Sequence, residues 1–140
     1  MQTYSLTWTP TVSFAPAASV AQDAQLALYF GPRAALEGEG LHEALRVAFP
    51  EAILLGCSTG GHLIGDDIDD ERVSVTAVRF RDTRLRGARA EVPDASRSRQ
   101  AGMELAAALD APDLVAVIAL SDGLTVNGSE WLWRAPRPAF

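Results

Sequence analysis

Two short apolar runs in the first half of the chain flank a segment with helical periodicity. The run Leu26–Phe30 (LALYF) is closed by a Gly-Pro pair, which predicts a strand buried on both faces. From Leu41 onward, apolar residues recur at offsets of 0, 3, 4, 7 and 8, so they form one stripe of a helix that ends at Pro50. Ile53–Leu55 is a second short strand. The order strand, helix, strand predicts a βαβ unit whose strands are parallel.

The middle of the chain predicts an antiparallel hairpin. Residues 73–80 alternate in part between apolar and polar positions, which is typical of a strand. A turn at 82–83 leads into a second strand over residues 84–92. Near the N-terminus, the alternation of Tyr4, Leu6 and Trp8 predicts one more short strand.

The second half predicts a helix followed by a buried strand. A helix is expected over residues 95–109 because Pro93-Asp94 provides a start and Pro112 follows its end. Its inward residues are predicted to be Met103, Ala106, Ala107 and Leu109. Residues 114–120 (LVAVIAL) are apolar throughout, which is typical of the central strand of a sheet. Another helix begins near Ser129 and ends before Pro136.

These elements predict an α/β (α+β) fold. It has a mixed β-sheet with an early βαβ unit, a central antiparallel hairpin and two main helices packed on the sheet. Residues 1–140 are expected to form a single domain, with 134–140 as an irregular tail.

Composition excludes several functional classes. A chain of 140 residues with 48% hydrophobic and 21% charged residues is long enough to bury a core. The net charge of -6 argues against nucleic-acid binding, and no apolar run approaches the roughly 20 residues of a membrane-spanning helix. All twelve basic residues are arginine, which excludes Schiff-base lysine chemistry and a lysine-dependent phosphate loop.

Two polar loops follow predicted strands. The loop Gly56–Gly61 (GCSTGG) follows Ile53–Leu55, and the loop 121–129 (SDGLTVNGS) follows 114–120. In open α/β sheets, ligands bind beyond the carboxyl ends of parallel strands. If both strands are parallel, the two loops lie at one edge of the sheet and share a polar site.

The residue types in these loops suit a small zwitterion such as an amino acid. Glycines allow successive backbone N–H groups to approach an anion, while Asp122 supplies a negative charge for a cationic group. The candidate ligand-binding residues are Gly56, Cys57, Ser58, Thr59, Gly60, Gly61, Asp122, Gly123, Asn127 and Gly128. The alternative is that the glycines only form tight turns and the hydroxyls only cap helices.

The single cysteine and the two histidines are the other candidates for chemistry. Cys57 acts as a nucleophile only where a nearby cation or helix N-terminus favours the thiolate, and the alternative is a small buried cysteine at a strand end. No base can be assigned to it, so no catalytic residue is predicted. His62 is a candidate axial ligand for haem iron, whereas His42 lies on the polar face of the first helix. No other metal site is predicted.

The acidic stretch Asp66–Glu71 is predicted to be a solvated loop. In a 12-residue calcium-loop frame that starts at Asp66, position six is Glu71 and not the required glycine. The stretch therefore does not predict a calcium site.

The segments LALYFG, FPEAILLGCSTGG, DDERVSVTAVRF and LVAVIALSDGLTVNGSEWL resemble the N-terminal sensory domain of the FIST family, over about residues 26–132. The resemblance implies a non-catalytic, cytoplasmic, ligand-sensing module of bacterial signal transduction. It implies small-molecule ligands such as amino acids, and a separate protein that carries the signalling output. Some family members sense nitric oxide through bound haem, so a haem-based sensor is one alternative. A truncated structural or oligomerising domain without a ligand is another.

The chain is shorter than the family's pattern, in which a long second half and a C-terminal region follow. We therefore expect a short form or a fragment, in which Trp131 and Trp133 remain as an apolar patch. The corresponding prediction is a homo-oligomer, for example a dimer with a twofold axis.

Overall fold

The computed structural model describes residues 1–11, 14, 21–64, 67–69 and 71–132, with the side chains of 62–64, 67, 69 and 132 left out of the description. The chain divides into two compact units, Met1–Leu85 and Arg86–Phe140. The predicted α+β class with a mixed sheet is confirmed. The expectation of a single domain stays a prediction.

The first unit is built on a mixed four-stranded sheet. Its strands in chain order are β1 (Gln2–Trp8), β2 (Leu26–Gly31), β3 (Ile53–Ser58), β4 (His62–Ile64), β5 (Asp67–Asp69) and β6 (Val73–Arg79). The main sheet has the order β1-β6-β2-β3, and β4 pairs separately with β5. β2 and β3 are parallel, whereas β6 is antiparallel to both β1 and β2. The helices α1 (Arg33–Glu37) and α2 (Leu41–Ala48) connect β2 to β3.

The predicted βαβ unit is therefore confirmed. α2 buries Leu41, Leu45 and Ala48 on one face, as the periodicity predicted, and His42 is exposed on the other. Phe49 is fully buried just after the helix, with its ring centroid 5.9 Å from that of Phe14. Burying a side chain of this size contributes about 1.5–3 kcal/mol.

The core of the first unit lies between α2 and one face of the sheet. Alternation along β1 buries Leu6 and Trp8, and alternation along β6 buries Val73 and Val75. β2 is less enclosed than predicted, because residues 28–30 are half-buried. The buried cluster comprises Leu6, Trp8, Phe14, Ala21, Ala24, Ala27, Leu41, Leu45, Ala48, Phe49, Ala52, Val73, Val75 and Ala77.

The second unit contains two helices in its described part. A 3₁₀ turn (Ala95–Arg97) leads into α3 (Ser98–Leu109), and α4 (Gly128–Leu132) follows after a long stretch without helix or strand. The predicted helices at 95–109 and near Ser129 are thus confirmed. The two helices pack closely because Gly102 lacks a side chain, since a Cβ there would lie 2.4 Å from the carbonyl oxygen of Trp131.

The predicted hairpin between 73–80 and 84–92 is wrong. β6 lies between β1 and β2, so both of its edges already carry hydrogen-bonded neighbours. Residues 84–92 form no strand. The acidic stretch is also not simply a loop, because Asp67–Asp69 is the strand β5, paired antiparallel with β4.

The prediction of a central strand at 114–120 is wrong as well. The segment belongs to no sheet in the described chain, and Val115, Val117 and Ile118 are exposed. An apolar run indicates a preference for burial, but a strand also needs a neighbouring strand with which its backbone can form hydrogen bonds.

The predicted inward face of α3 is partly wrong. Met103 and Ala107 are exposed, whereas Ser98 and Ala101 are buried and Leu105 is half-buried. The buried face is rotated because α3 meets α4 at Gly102. Among the described helices, none is long and apolar enough to cross a membrane.

Candidate functional site

The first half of the glycine loop is strand rather than loop. Gly56, Cys57 and Ser58 are the last three residues of β3, in parallel register with residues 29–31 of β2. A Cβ at Gly56 would lie 2.2 Å from the carbonyl oxygen of Tyr29, so the glycine allows β2 and β3 to approach. Cys57 is a free, half-buried thiol.

The N–H groups of β3 alternate in direction. The N–H of Ile53 donates to the carbonyl oxygen of Gln25, and the N–H of Thr59 donates to that of Gly31, each at 2.9 Å. The N–H groups of odd-numbered residues in this segment therefore point toward β2. The N–H groups of Gly56 and Ser58 therefore point the other way. Because β3 is an edge strand of the four-stranded sheet, these two groups have no ladder partner in it.

The second half of the loop is a tight turn closed by Thr59. Its hydroxyl donates to the carbonyl oxygen of Gly61 at 2.8 Å, and the Gly61 N–H approaches the same hydroxyl oxygen at 3.4 Å. Gly61 has a φ of +146°, a conformation that favours glycine. Among the described residues, no atom lies within 4 Å of a Cβ built on Gly60. The loop thus presents an open backbone surface at Gly60.

In the second unit, Asp122 organises its own loop. Its Oδ1 accepts the N–H of Leu124 at 2.8 Å and its Oδ2 accepts the hydroxyl of Thr125 at 3.0 Å. Its carbonyl oxygen also accepts the N–H of Val126 at 3.0 Å. These bonds fix the orientation of an exposed carboxylate. Neither Gly123 nor Gly128 has a described atom within 4 Å of a built Cβ.

Asn127 has a structural role at the start of α4. Its side-chain Oδ1 accepts the N–H of Ser129 at 3.2 Å, which is the arrangement of a helix N-cap. Its own N–H donates to the hydroxyl oxygen of the buried Ser98 on α3 at 2.9 Å. The loop is therefore anchored to α3 at this residue.

A recess of about 200 Å³ opens beside Asp122, within the second unit. Its lining consists of Ala88, Ala90, Val92, Leu105, Leu120, Ser121, Asp122, Val126 and Trp131. Among the described residues that line it, only Asp122 carries a charge. The other side chains are apolar except that of Ser121, although polar atoms contribute at least as much of the exposed lining as apolar atoms do. The arrangement can hold a small molecule that has one cationic group and an apolar body.

The recess contains residues that lie outside the predicted site. Ala88, Ala90 and Val92 recur with a period of two, so alternate residues of segment 84–92 line the recess. That alternation is visible in the sequence and was the available signal. Trp131, which was expected in an exposed patch, is half-buried against α3 instead.

The predicted site residues fall into the two units as two separate groups. Gly56–Gly61 lie in the first unit, and Asp122, Gly123, Asn127 and Gly128 lie in the second. A shared sheet edge requires a parallel strand at 114–120, which the structure does not form. A common site for the two loops therefore stays a prediction.

Two further predictions fall outside the description. The side chain of His62, the candidate haem ligand, and all of Trp133 are not among the described parts of the chain. Within the described parts, no group of three or more His, Cys, Asp or Glu residues is placed to hold a metal ion.

Comparison with known proteins gives one match. The family model described as the FIST N domain matches residues 25–137 of the 140-residue chain. No curated protein and no solved structure matches the chain.

Proposed function

Because the chain belongs to the FIST N-domain family of sensory domains in signal transduction, we propose that it senses a small apolar amino acid, bound in the recess beside Asp122. The output is carried by a separate protein, and the site of action is the cytoplasm. The protein is a sensor and not an enzyme in this proposal.

The observation that carries the proposal is a single charged side chain in a recess whose other side chains are apolar except that of Ser121. Asp122 is the one charged residue among the described residues of the lining, and its carboxylate is held by Leu124 and Thr125. An oriented carboxylate beside an apolar wall attracts an ammonium group more strongly than a freely hydrated one does.

The shape of the recess limits the size of the ligand. Its volume of about 200 Å³ is below the roughly 300–1,000 Å³ typical of sites for drug-sized molecules. The apolar wall, which includes Leu105, Val126 and Trp131, suits a hydrocarbon side chain. A branched apolar amino acid such as leucine meets both conditions.

Independently of the recess, the glycine loop of the first unit is the proposed element for anionic groups. The N–H groups of Gly56 and Ser58 are directed away from β2, and no described atom lies within 4 Å of a Cβ built on Gly60. Backbone N–H groups that face outward in this way stabilise a carboxylate. The loop contributes no cationic side chain, so its affinity for an anion rests on the backbone.

Calorimetric titration with three related compounds tests the proposal. Leucine carries both charges, 3-methylbutylamine lacks the carboxylate, and 4-methylpentanoate lacks the ammonium group. We expect leucine to bind and 4-methylpentanoate to show no binding. The Asp122→Asn variant keeps an oxygen acceptor for the loop but loses the charge, so leucine affinity should fall at least about tenfold.

Asp110→Asn is the matched control, since it removes the same charge from an exposed residue of the second unit outside the recess. Its affinity for leucine should be unchanged. Absence of heat and of thermal stabilisation with every apolar amino acid at millimolar concentration would refute the proposed ligand, while the family assignment would stand.

A further inference from the structure

The segment 114–120 exposes apolar side chains along its length. The exposed fraction is 89% for Val115, 52% for Val117 and 62% for Ile118. Monomeric proteins seldom expose several large apolar residues in a row, and such patches mark surfaces that bind another protein.

The backbone of the same segment has no hydrogen-bond partner within the described part of the second unit. This holds for every N–H and C=O group from Val115 to Leu120. The segment contains no proline and no charged residue, which are the features that usually protect an edge from pairing with another strand. It is rich in β-branched residues, which favour strands.

We propose that 114–120 is the pairing surface of a homodimer, in which the segment lies antiparallel to the same segment of a second copy. The sequence LVAVIAL suits pairing with itself about Val117. In this register Leu114 faces Leu120, Val115 faces Ala119, and Ala116 faces Ile118. Each alanine is then opposite a branched side chain, so large and small residues alternate across the pair.

The register also agrees with the charges that flank the segment. Asp113 is placed opposite Ser121 of the second copy, and no carboxylate lies directly opposite another. Like charges directly opposite each other would destabilise the pair. A twofold axis through Val117 gives an isologous interface, which closes at two copies.

Engineered disulfides test the register. In a Cys57→Ser background, which removes the only cysteine, Val117→Cys places two thiols directly opposite each other. Opposite Cα atoms in an antiparallel pair are about 4.5–5.5 Å apart, within the range of a disulfide. Val115→Cys is the matched control, because its two copies are offset by four residues, or about 14 Å.

We expect mild oxidation to yield a covalent dimer of Val117→Cys and a monomer of Val115→Cys on non-reducing gels. The double variant Val115→Cys/Ala119→Cys should form the dimer. Equal cross-linking of Val115→Cys and Val117→Cys, or no cross-linking of Val117→Cys, would overturn the proposal.

Sedimentation equilibrium tests the dimer without cross-linking. Wild-type protein should sediment as a dimer at micromolar concentration. Val117→Asp should be monomeric because two carboxylates would face each other at the axis. Met103→Asp, which places the same charge at an exposed apolar residue of α3, should remain dimeric. A wild-type monomer over the whole concentration range, or a dimer of Val117→Asp, would refute the proposed interface.

Discussion

The hydroxyl oxygen of Ser98 accepts the backbone N–H of Asn127 at 2.9 Å, and Ser98 is fully buried. Ser98 is the first residue of α3, and Asn127 caps α4. One hydrogen bond therefore joins the beginnings of two helices. Because Val126 directly precedes Asn127 and Asp122 lies in the same loop, the bond also anchors the loop that lines the recess.

Replacing Ser98 should loosen this connection. Ser98→Ala leaves the N–H of Asn127 without its acceptor, and the free energy of unfolding should fall by about 1 kcal/mol. Urea unfolding measures the change, and amide hydrogen exchange at Asn127 should accelerate. Ser129→Ala, at an exposed serine in α4, serves as the control and should leave both quantities nearly unchanged.

A side chain at position 102 should separate the two helices. The Cβ of Gly102→Ala would lie 2.4 Å from the carbonyl oxygen of Trp131, so α4 must move. We expect a loss of about 1–3 kcal/mol, which exceeds the gain of up to about 1 kcal/mol from the higher helix propensity of alanine.

Gly128→Ala tests the same change where space is available. No described atom lies within 4 Å of a Cβ at that position, at the first residue of α4. Its unfolding midpoint should match or exceed that of the wild type. If Gly102→Ala were as stable as Gly128→Ala, the close contact between α3 and α4 would be wrong.

Gly56 and Gly60, both in the segment Gly56–Gly61, should respond differently to replacement by alanine. Gly56→Ala would place a Cβ 2.2 Å from the backbone oxygen of Tyr29, which forces β2 and β3 apart. Gly60→Ala meets no described atom within 4 Å. We expect Gly56→Ala to lower the thermal unfolding temperature by several degrees or prevent folding, and Gly60→Ala to be neutral. A neutral Gly56→Ala would contradict the β2–β3 register.

The start of α3 should be sensitive to acid. The hydroxyl and then the backbone N–H of Ser96 donate to Asp94, which lowers the pKa of this carboxyl below its ordinary value of 3.8. A lowered folded-state pKa gives stability that is present above 3.8 and is lost as the pH falls through the lower folded value. Comparison of Asp94→Asn with wild type between pH 2 and about 6 measures this, and the difference in stability should shrink at the acid end. A difference that stays constant would show that the charge plays no part.

The first unit was largely predictable because its elements carry local signals. The stripe from Leu41 to Phe49 and the alternation along β1 and β6 follow from burial against one shared core. What the sequence could not supply is the order of strands. The insertion of β6 between β1 and β2 depends on pairing between residues that are distant in the chain, and it removes the edge that the predicted hairpin needed.

The second unit was predictable in its helices but not in the segments between them. The run 114–120 has the hydrophobicity of a central strand, yet within the described chain no strand edge pairs with it. Similarly, the pattern of α3 does not show on which side α4 packs. Met103 was therefore predicted to be buried, but it is exposed.

For the candidate site, the sequence predicted the loop that contributes the charged residue but not the residues that form the rest of the wall. The spacing of glycines and polar residues identified the loop that contains Asp122, but the recess wall depends on Trp131 and on the alternating residues of 84–92. Those contributions come from packing between segments. Gly56 illustrates the opposite case, since a glycine selected for ligand binding is required by the neighbouring strand.

The central position of β6 also has a consequence for biosynthesis. β1 is joined to the rest of its sheet only through β6, which is the last of the four strands to be translated. A nascent chain that has not yet released Val73–Arg79 from the ribosome can pair β2 with β3, but it leaves Leu6 and Trp8 without a partner strand. Completion of the sheet therefore waits for synthesis of residues 73–79, and the N-terminal strand is the part of the first unit that depends longest on protection from aggregation.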